Sequence, residues 1–206
     1  MNRLFLTFQS FAASKRGLLA ATCSLQYAAI PGTKTDAPII RNATVADAAA
    51  LAALEERTFR DTFEASNSRE DMALHCSASF GEAIQRREIM DPNLEILVCE
   101  QHGSLIAFAQ IRWGRPPACV RATRPVEIQR FYVSREHHGL GLAKSLMDKA
   151  ITAARARDAD VIWLGVWEHN PRAIAFYRKW DFVEVGDHVF QLGTDPQRDI
   201  IMTRPA

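Results

Sequence analysis

Residues 126–149 constrain this chain more than any other stretch. A β-branched, apolar run at 126–133 ends at Ser134, a polar segment leads to Gly139-Leu140-Gly141, and an apolar stripe follows at helical spacing. The stripe is Ala143, Leu146, Met147, Ala150 and Ala154, with Lys144, Asp148, Arg155 and Arg157 largely off it. The pattern reads strand, glycine loop, helix, with one helix face buried. Gly139 and Gly141 let the backbone turn tightly, so that successive N–H groups converge on an anion at the positive end of the helix dipole. A phosphate suits that place. A phosphate-cradling ATPase loop would need glycines where His138 and Ala143 stand, although Lys144-Ser145 matches its end. A dinucleotide fingerprint would need a glycine at Lys144.

The chain has 206 residues and 48% apolar composition, enough for one globular domain with a sizeable core. Lys plus Arg number 25 against 24 acidic residues, a balance that argues against nucleic acid or a membrane surface as partner and for a small molecule. Cys23, Cys76, Cys99 and Cys119 are widely spaced with no CxxC, which predicts reduced structural thiols and a cytoplasmic setting. Residues 1–36 differ from the remainder: they hold Arg3, Lys15, Arg16 and Lys34 and no acid before Asp36, with a mild apolar run at 17–30. They are expected to be a disordered extension or a leader, or a translated stretch ahead of the true start. The apolar run is shorter than the ~20 residues a spanning helix needs.

The domain proper is placed at 37–206. A short strand at 38–41 is followed by Thr44 and Asp47, a capping-box-like start to an alanine- and leucine-rich helix, and Ser68 with Asp71 repeats the cap. A third helix at 81–90 closes at Asp91-Pro92. Glu55, Glu56, Asp61, Glu64, Glu70 and Asp71 collect here, as solvated helix faces or as a cation-binding rim. The runs at 94–100 and 105–113 flank Gln101-His102-Gly103-Ser104, a hairpin signature. Strict alternation over 126–133 puts Glu127, Gln129, Phe131 and Val133 on one face and Val126, Ile128, Arg130 and Tyr132 on the other. The buried-type run at 161–166 follows a helical crossover, which implies parallel pairing and a mixed sheet.

Asn170-Pro171 starts another helix, Asn as N-cap and Pro at the first position, with Ala173, Ile174 and Tyr177 at helical spacing. The loop His138-Gly139-Leu140-Gly141-Leu142-Ala143 resembles the pyrophosphate loop of the GNAT superfamily of N-acetyltransferases. His138 stands there where the superfamily has Arg or Gln. Strand, Asn170, two residues, Ala173, two residues, Phe176-Tyr177 resembles its second motif, with Asp181 where a glycine is usual. The stretch at 163–177 that carries the second motif, together with the C-terminal run at 188–202, resembles bacterial GNAT proteins in the neighbourhood of the polyamine acetyltransferases.

That resemblance implies an α/β (α+β) fold with a mixed, mostly antiparallel sheet, splayed strands and flanking helices. It also implies acetyl-CoA as co-substrate. The pantetheine arm would lie in the gap beside Phe131, Tyr132 and Val133, the amides of His138, Gly139, Leu140, Gly141, Leu142 and Ala143 would hold the pyrophosphate, and Asn170 would touch the arm. A neutral amine attacks the thioester, Tyr177 faces the sulfur as proton donor, and Glu127, with Glu168 second, is the expected base. The expected activity is acetyl transfer to a primary amine of a small molecule, a polyamine within that class. A non-catalytic acetyl-CoA-binding module, a protein or peptide N-acetyltransferase and a nucleotide-dependent enzyme are the alternatives. A homodimer is the assembly left open. No histidine spacing resembles a zinc site, and no metal is assigned.

Overall fold

A computed structural model describes residues 37–206; the expectations for residues 1–36 lie outside the described residues. The strands are β1 (Ile39–Asn42), β2 (Leu94–Gln101), β3 (Ser104–Trp113), β4 (Pro125–Val133), β5 (Val161–Trp167), β6 (Val183–Leu192) and β7 (Asp195–Pro205). They form one sheet in the order β1-β2-β3-β4-β5-β7-β6, antiparallel everywhere except between β4 and β5. The helices are α1 (Ala48–Phe63), α2 (Arg69–Ser79), α3 (Glu82–Met90), α4 (Leu142–Ala156) and α5 (Pro171–Arg178).

Local chemistry sets these boundaries. The Ser68 hydroxyl accepts from the Asp71 amide at 3.0 Å to cap α2, and Asn170 Oδ1 accepts from the Ala173 amide at 3.1 Å to cap α5. His102 and Gly103 both take positive φ in the β2–β3 turn, as a two-residue hairpin of matching twist requires. Asp181 takes φ 63° where the chain leaves α5, the left-handed place a glycine would fill without strain.

The parallel pair is brief. Pro125, Val126 and Glu127 pair with Val161, Ile162 and Trp163; the rest of β4 pairs only with β3. The strands part where their C-terminal ends feed the glycine loop and α5.

The strict alternation expected for β4 does not hold. Gln110 pairs with Arg130 and Ile111 with Ile128, so Gln129 is an extra residue in a bulge. One inserted residue reverses the parity of everything after it. Val126 and Ile128 therefore share the α4-facing core with Phe131 and Val133, among Leu146, Met147 and Ala150. Tyr132 packs on the opposite side, beside Leu51, Leu54 and Phe108.

Arg130 also turns to that opposite side, into a buried polar network. Its Nη1 lies 2.8 Å from Glu55 Oε2, 2.9 Å from Glu88 Oε2 and 2.9 Å from Gln110 Oε1. Gln85 Nε2 donates to Glu55 at 3.2 Å. The Glu55 side chain is fully enclosed, and burial pushes its carboxyl up to about 7 while Arg130 pulls the other way.

Arg130→Met should destabilise the fold by ~3–5 kcal/mol at pH 8, the range for removing one partner of a buried ion pair. Without its cation, the Glu55 carboxyl rises further above its unfolded value. The variant's stability is then fully present below that unfolded value and lost as pH rises through the folded one. Urea denaturation of parent and variant at pH 5 and pH 8 should show the larger deficit at pH 8.

Candidate active site

The gap between β4 and β5 opens into a cleft of about 810 Å³ that crosses the sheet. Its first wall is the glycine loop and the start of α4. Gly139 and Gly141 have φ of 80° and 81°, conformations open to glycine, and a Cβ built on either meets nothing within 4 Å. Gly141 is the N-cap residue of α4. The loop amides thus border open space at a helix N-terminus, with Lys144 of α4 and Arg172 of α5 lining the same cleft.

His138 shapes this wall as a spacer. Its Nε2 lies 2.8 Å from the Val133 carbonyl, which only accepts, so that nitrogen carries the proton. The Arg172 guanidinium lies alongside the ring, Nη1 3.2 Å from Nδ1 and Nη2 3.4 Å from Nε2. The ring ties the end of β4 to the first turn of α5.

Most of the residues expected at the site come together. Phe131, Tyr132, Val133, His138, Gly139, Gly141, Leu142, Ala143, Asn170 and Tyr177 all line the cleft. Ala143, expected on the buried stripe of α4, is a cleft residue instead, because the first turn of the helix faces the gap. Leu140 and Glu127 are not among the lining residues. The Leu140 side chain is exposed, which leaves its backbone to serve the loop. Glu127 pairs with Trp163 where the two strands are still joined, and across from Arg112. Burial lifts its carboxyl to about 7, against the pull of Arg112 and then Arg130. Glu168 sits at the exposed edge, 3.0 Å from Arg198 Nη1.

The opposite end of the cleft was not legible as a motif. Phe59, Asp61, Thr62 and Phe63 of α1 face Trp167 of β5, Phe190 of β6, and Gln197 and Asp199 of β7 across it. Phe63 meets Trp167 edge-on at 5.5 Å. Asn67 and Gln197 are hydrogen-bonded, bridging the α1–α2 connection to β7. Asp71 holds the β6–β7 turn through the Thr194 amide at 2.6 Å and hydroxyl at 2.8 Å. Of the six acids collected near α1 and α2, Asp61 alone lines the cleft. Glu56 and Glu64 flank Arg60 at 2.8 and 3.2 Å, and Glu55 belongs to the Arg130 network. The cation-binding rim therefore reduces to Asp61.

Both cleft tyrosines are held above their ordinary range, Tyr177 by burial and Tyr132 by burial and then by Tyr177. Each phenol keeps its proton at neutral pH and can only give a hydrogen bond to a developing anion. Among the described residues no group of three or more His, Cys, Asp or Glu could hold a metal, and no helix is long and apolar enough to cross a membrane.

The model of the acetyltransferase (GNAT) family matches residues 50–182, and the chain belongs to that family. An uncharacterized N-acetyltransferase of Lactobacillus delbrueckii subsp. lactis is 31% identical over 152 residues, covering 74% of this chain and 88% of the relative. An uncharacterized N-acetyltransferase of Mycobacterium bovis is 32% identical over 158 residues, covering 77% and 97%. The PaiA N-acetyltransferase of Thermoplasma acidophilum, solved in complex with coenzyme A, shares the fold at 20% identity, with a TM-score of 0.65 over 82% of this chain and 99% of that one. The protein is an acetyl-CoA-dependent N-acetyltransferase of the GNAT type. Acetyl-CoA suits the cleft: its phosphates match the open glycine loop with Lys144 and Arg172, and its amide-bearing arm matches the unpaired edges of β4 and β5.

Gly141→Asp puts a side chain at φ 81° and a negative charge at the mouth of the loop. Coenzyme A affinity should fall at least tenfold, ~1.4 kcal/mol, in a variant that still folds; isothermal titration calorimetry checks it.

Proposed function

We propose that the protein transfers the acetyl group of acetyl-CoA to a primary amine of a small molecule, with polyamines inside that class. The observation that carries this reading is the lining of the far end of the cleft. Phe59, Phe63 and Trp167 wall it, Asp61 and Asp199 are its acids, and Gln197, hydrogen-bonded to Asn67, borders it. Apolar walls with a few acids suit the methylene stem and ammonium head of an alkyl amine.

Backbone edges of β4 and β5 bind and orient the arm of the co-substrate, and an unpaired N–H of β4 is available to polarise the thioester carbonyl. Tyr177 supplies the hydrogen bond to sulfur. A tyrosine of pKa ~10 facing a thiol of ~8.5 makes complete proton transfer uphill by roughly 2 kcal/mol, and burial widens that gap. A hydrogen bond that strengthens as charge develops on sulfur is enough to raise turnover, because it favours the transition state over the bound thioester.

Tyr177→Phe keeps the ring among Phe176 and Phe182 and deletes the donor. Turnover should drop on the order of 10²-fold with coenzyme A affinity little changed. A thiol-release assay over monoamines, diamines, polyamines and amino-terminal peptides supplies the acceptor. Peptides outpacing every small amine would overturn the small-molecule reading, and a Phe variant within about threefold of the parent would remove Tyr177 from the reaction.

A further inference from the structure

At the far end of the cleft, Asp199 of β7 lines the wall with only 14% of its side chain exposed. Its neighbour on β6 is His188, paired with it in register, whose Nε2 lies 3.8 Å from Asp199 Oδ2. That separation is an ion-pair contact too long for a hydrogen bond, and the buried Nε2 has no other partner. Room for the pair comes from β5. Gly165 has no side chain to fill the space they occupy, and a Cβ there would fall 2.9 Å from His188 Nε2 and 3.3 Å from Asp199 Oδ2. A side chain on β5 at this position would push both groups out of place.

A buried carboxylate beside an unsatisfied imidazole, open to a reaction cleft, has a defined chemical use. An alkyl amine arrives as an ammonium ion and has no lone pair until it gives up a proton. The cleft must hold a group that attracts the cation and accepts that proton. Asp61 is on the outer turns of α1, Glu127 lies where β4 and β5 are still paired, and Glu168 is committed to Arg198. Asp199 is largely enclosed, lines the cleft, and has the His188 imidazole beside it.

We propose that Asp199, with His188 behind it and Gly165 making space for both, receives the acceptor's ammonium group and takes its proton. This rests on the small-amine reading above. The proton balance is complete. R–NH3⁺ gives one proton to the Asp199 carboxylate, which releases it to solvent once the product has left. The freed nitrogen lone pair forms the N–C bond to the acetyl carbon, the C–S bond breaks, and its electron pair stays on sulfur. The nitrogen's second proton leaves as the amide forms and ends on sulfur, to which the Tyr177 phenol hydrogen-bonds while keeping its own proton. The products are R–NH–CO–CH3, HS–CoA and one proton released. Burial raises the Asp199 carboxyl and His188 opposes the rise, which brings the carboxylate nearer in basicity to the amine it must serve. The other groups facing this point are the Tyr132 phenol of β4, close enough to feel both Tyr177 and Asp199, with Asp61, Arg130 and His169 elsewhere on the cleft.

The test compares Asp199→Asn and His188→Gln with the parent, measuring kcat/KM for the best amine of the screen from pH 5.5 to 9.5 and coenzyme A affinity by calorimetry. Asp199→Asn should lose on the order of 10²-fold in kcat/KM near pH 7, the range for a positioned base, with coenzyme A affinity unchanged. The deficit should shrink as pH nears the amine's own pKa, where solvent supplies free amine. His188→Gln keeps the carboxylate and removes the imidazole that opposes the rise in its pKa, so the acidic limb of the profile should move to higher pH. A merely structural role predicts no such movement. Asp199→Asn within threefold of the parent at every pH overturns the proposal while leaving the acetyltransferase reading intact, as would a Glu127→Gln variant that alone carries the pH-dependent loss. An equal loss of coenzyme A affinity in the Asn variant also overturns it. A parent that acetylates no small amine fails the reading beneath it, and the proposal with it.

Discussion

Three backbone pairings hold β4 to β5, and the functional architecture depends on their stopping after Glu127 and Trp163. A strand edge that loses its neighbour inside a protein leaves N–H and C=O groups that must find other partners. Here they border a cleft, so the unmet backbone groups become the binding surface for an amide-bearing arm. Divergence is also what aims the following elements. The end of β4 delivers the glycine loop and the N-terminus of α4 to one side of the gap, and the end of β5 delivers Asn170 and α5 to the other. His138, bonded to Val133 and Arg172, spans the two at their mouth.

The bulge at Gln129 gives β4 two sets of duties. Before it, Val126 and Ile128 are core residues toward α4; after it, Phe131 and Val133 take over that face, and Arg130 and Tyr132 serve the other. Arg130 anchors a dry ionic network with Glu55 and Glu88, which binds α1 and α3 to the centre of the sheet. α1 in turn carries Phe59, Asp61 and Phe63 into the cleft. Two buried carboxyls on this side of the sheet, Glu55 and Asp199, therefore differ in use. The first is satisfied by a fixed guanidinium, and the second faces the cleft with an imidazole beside it.

The parts legible in the sequence were those written in consecutive residues. Glycines at 139 and 141 need no tertiary context to take positive φ ahead of a helix, and Asn170-Pro171 starts a helix on its own chemistry. The β2–β3 hairpin, the caps at Ser68 and Asn170, and the crossover that makes β4 and β5 parallel were likewise local statements. Ten of the twelve residues expected at the site line the cleft because both motifs sit on the ends of the same two strands.

Tertiary structure decided the rest. Period-two reasoning over 126–133 could not see the bulge, because an extra residue is defined only by what lies opposite it on β3. The acids near α1 and α2 looked alike as composition, and only packing separated the buried Glu55, the turn-holding Asp71 and the cleft-facing Asp61. Asp199 left one faint trace, an acid at the inward parity of the apolar run Ile200-Ile201-Met202. Its meaning came from His188, its register partner across the β6–β7 hairpin, and from Gly165, which is distant in sequence and adjacent only because β7 inserts between β5 and β6. The sequence by itself determined the co-substrate loop, since turn and helix-cap chemistry is local. The acceptor end waited for the fold, since its residues come from α1, β5, β6 and β7 and no spacing along the chain relates them.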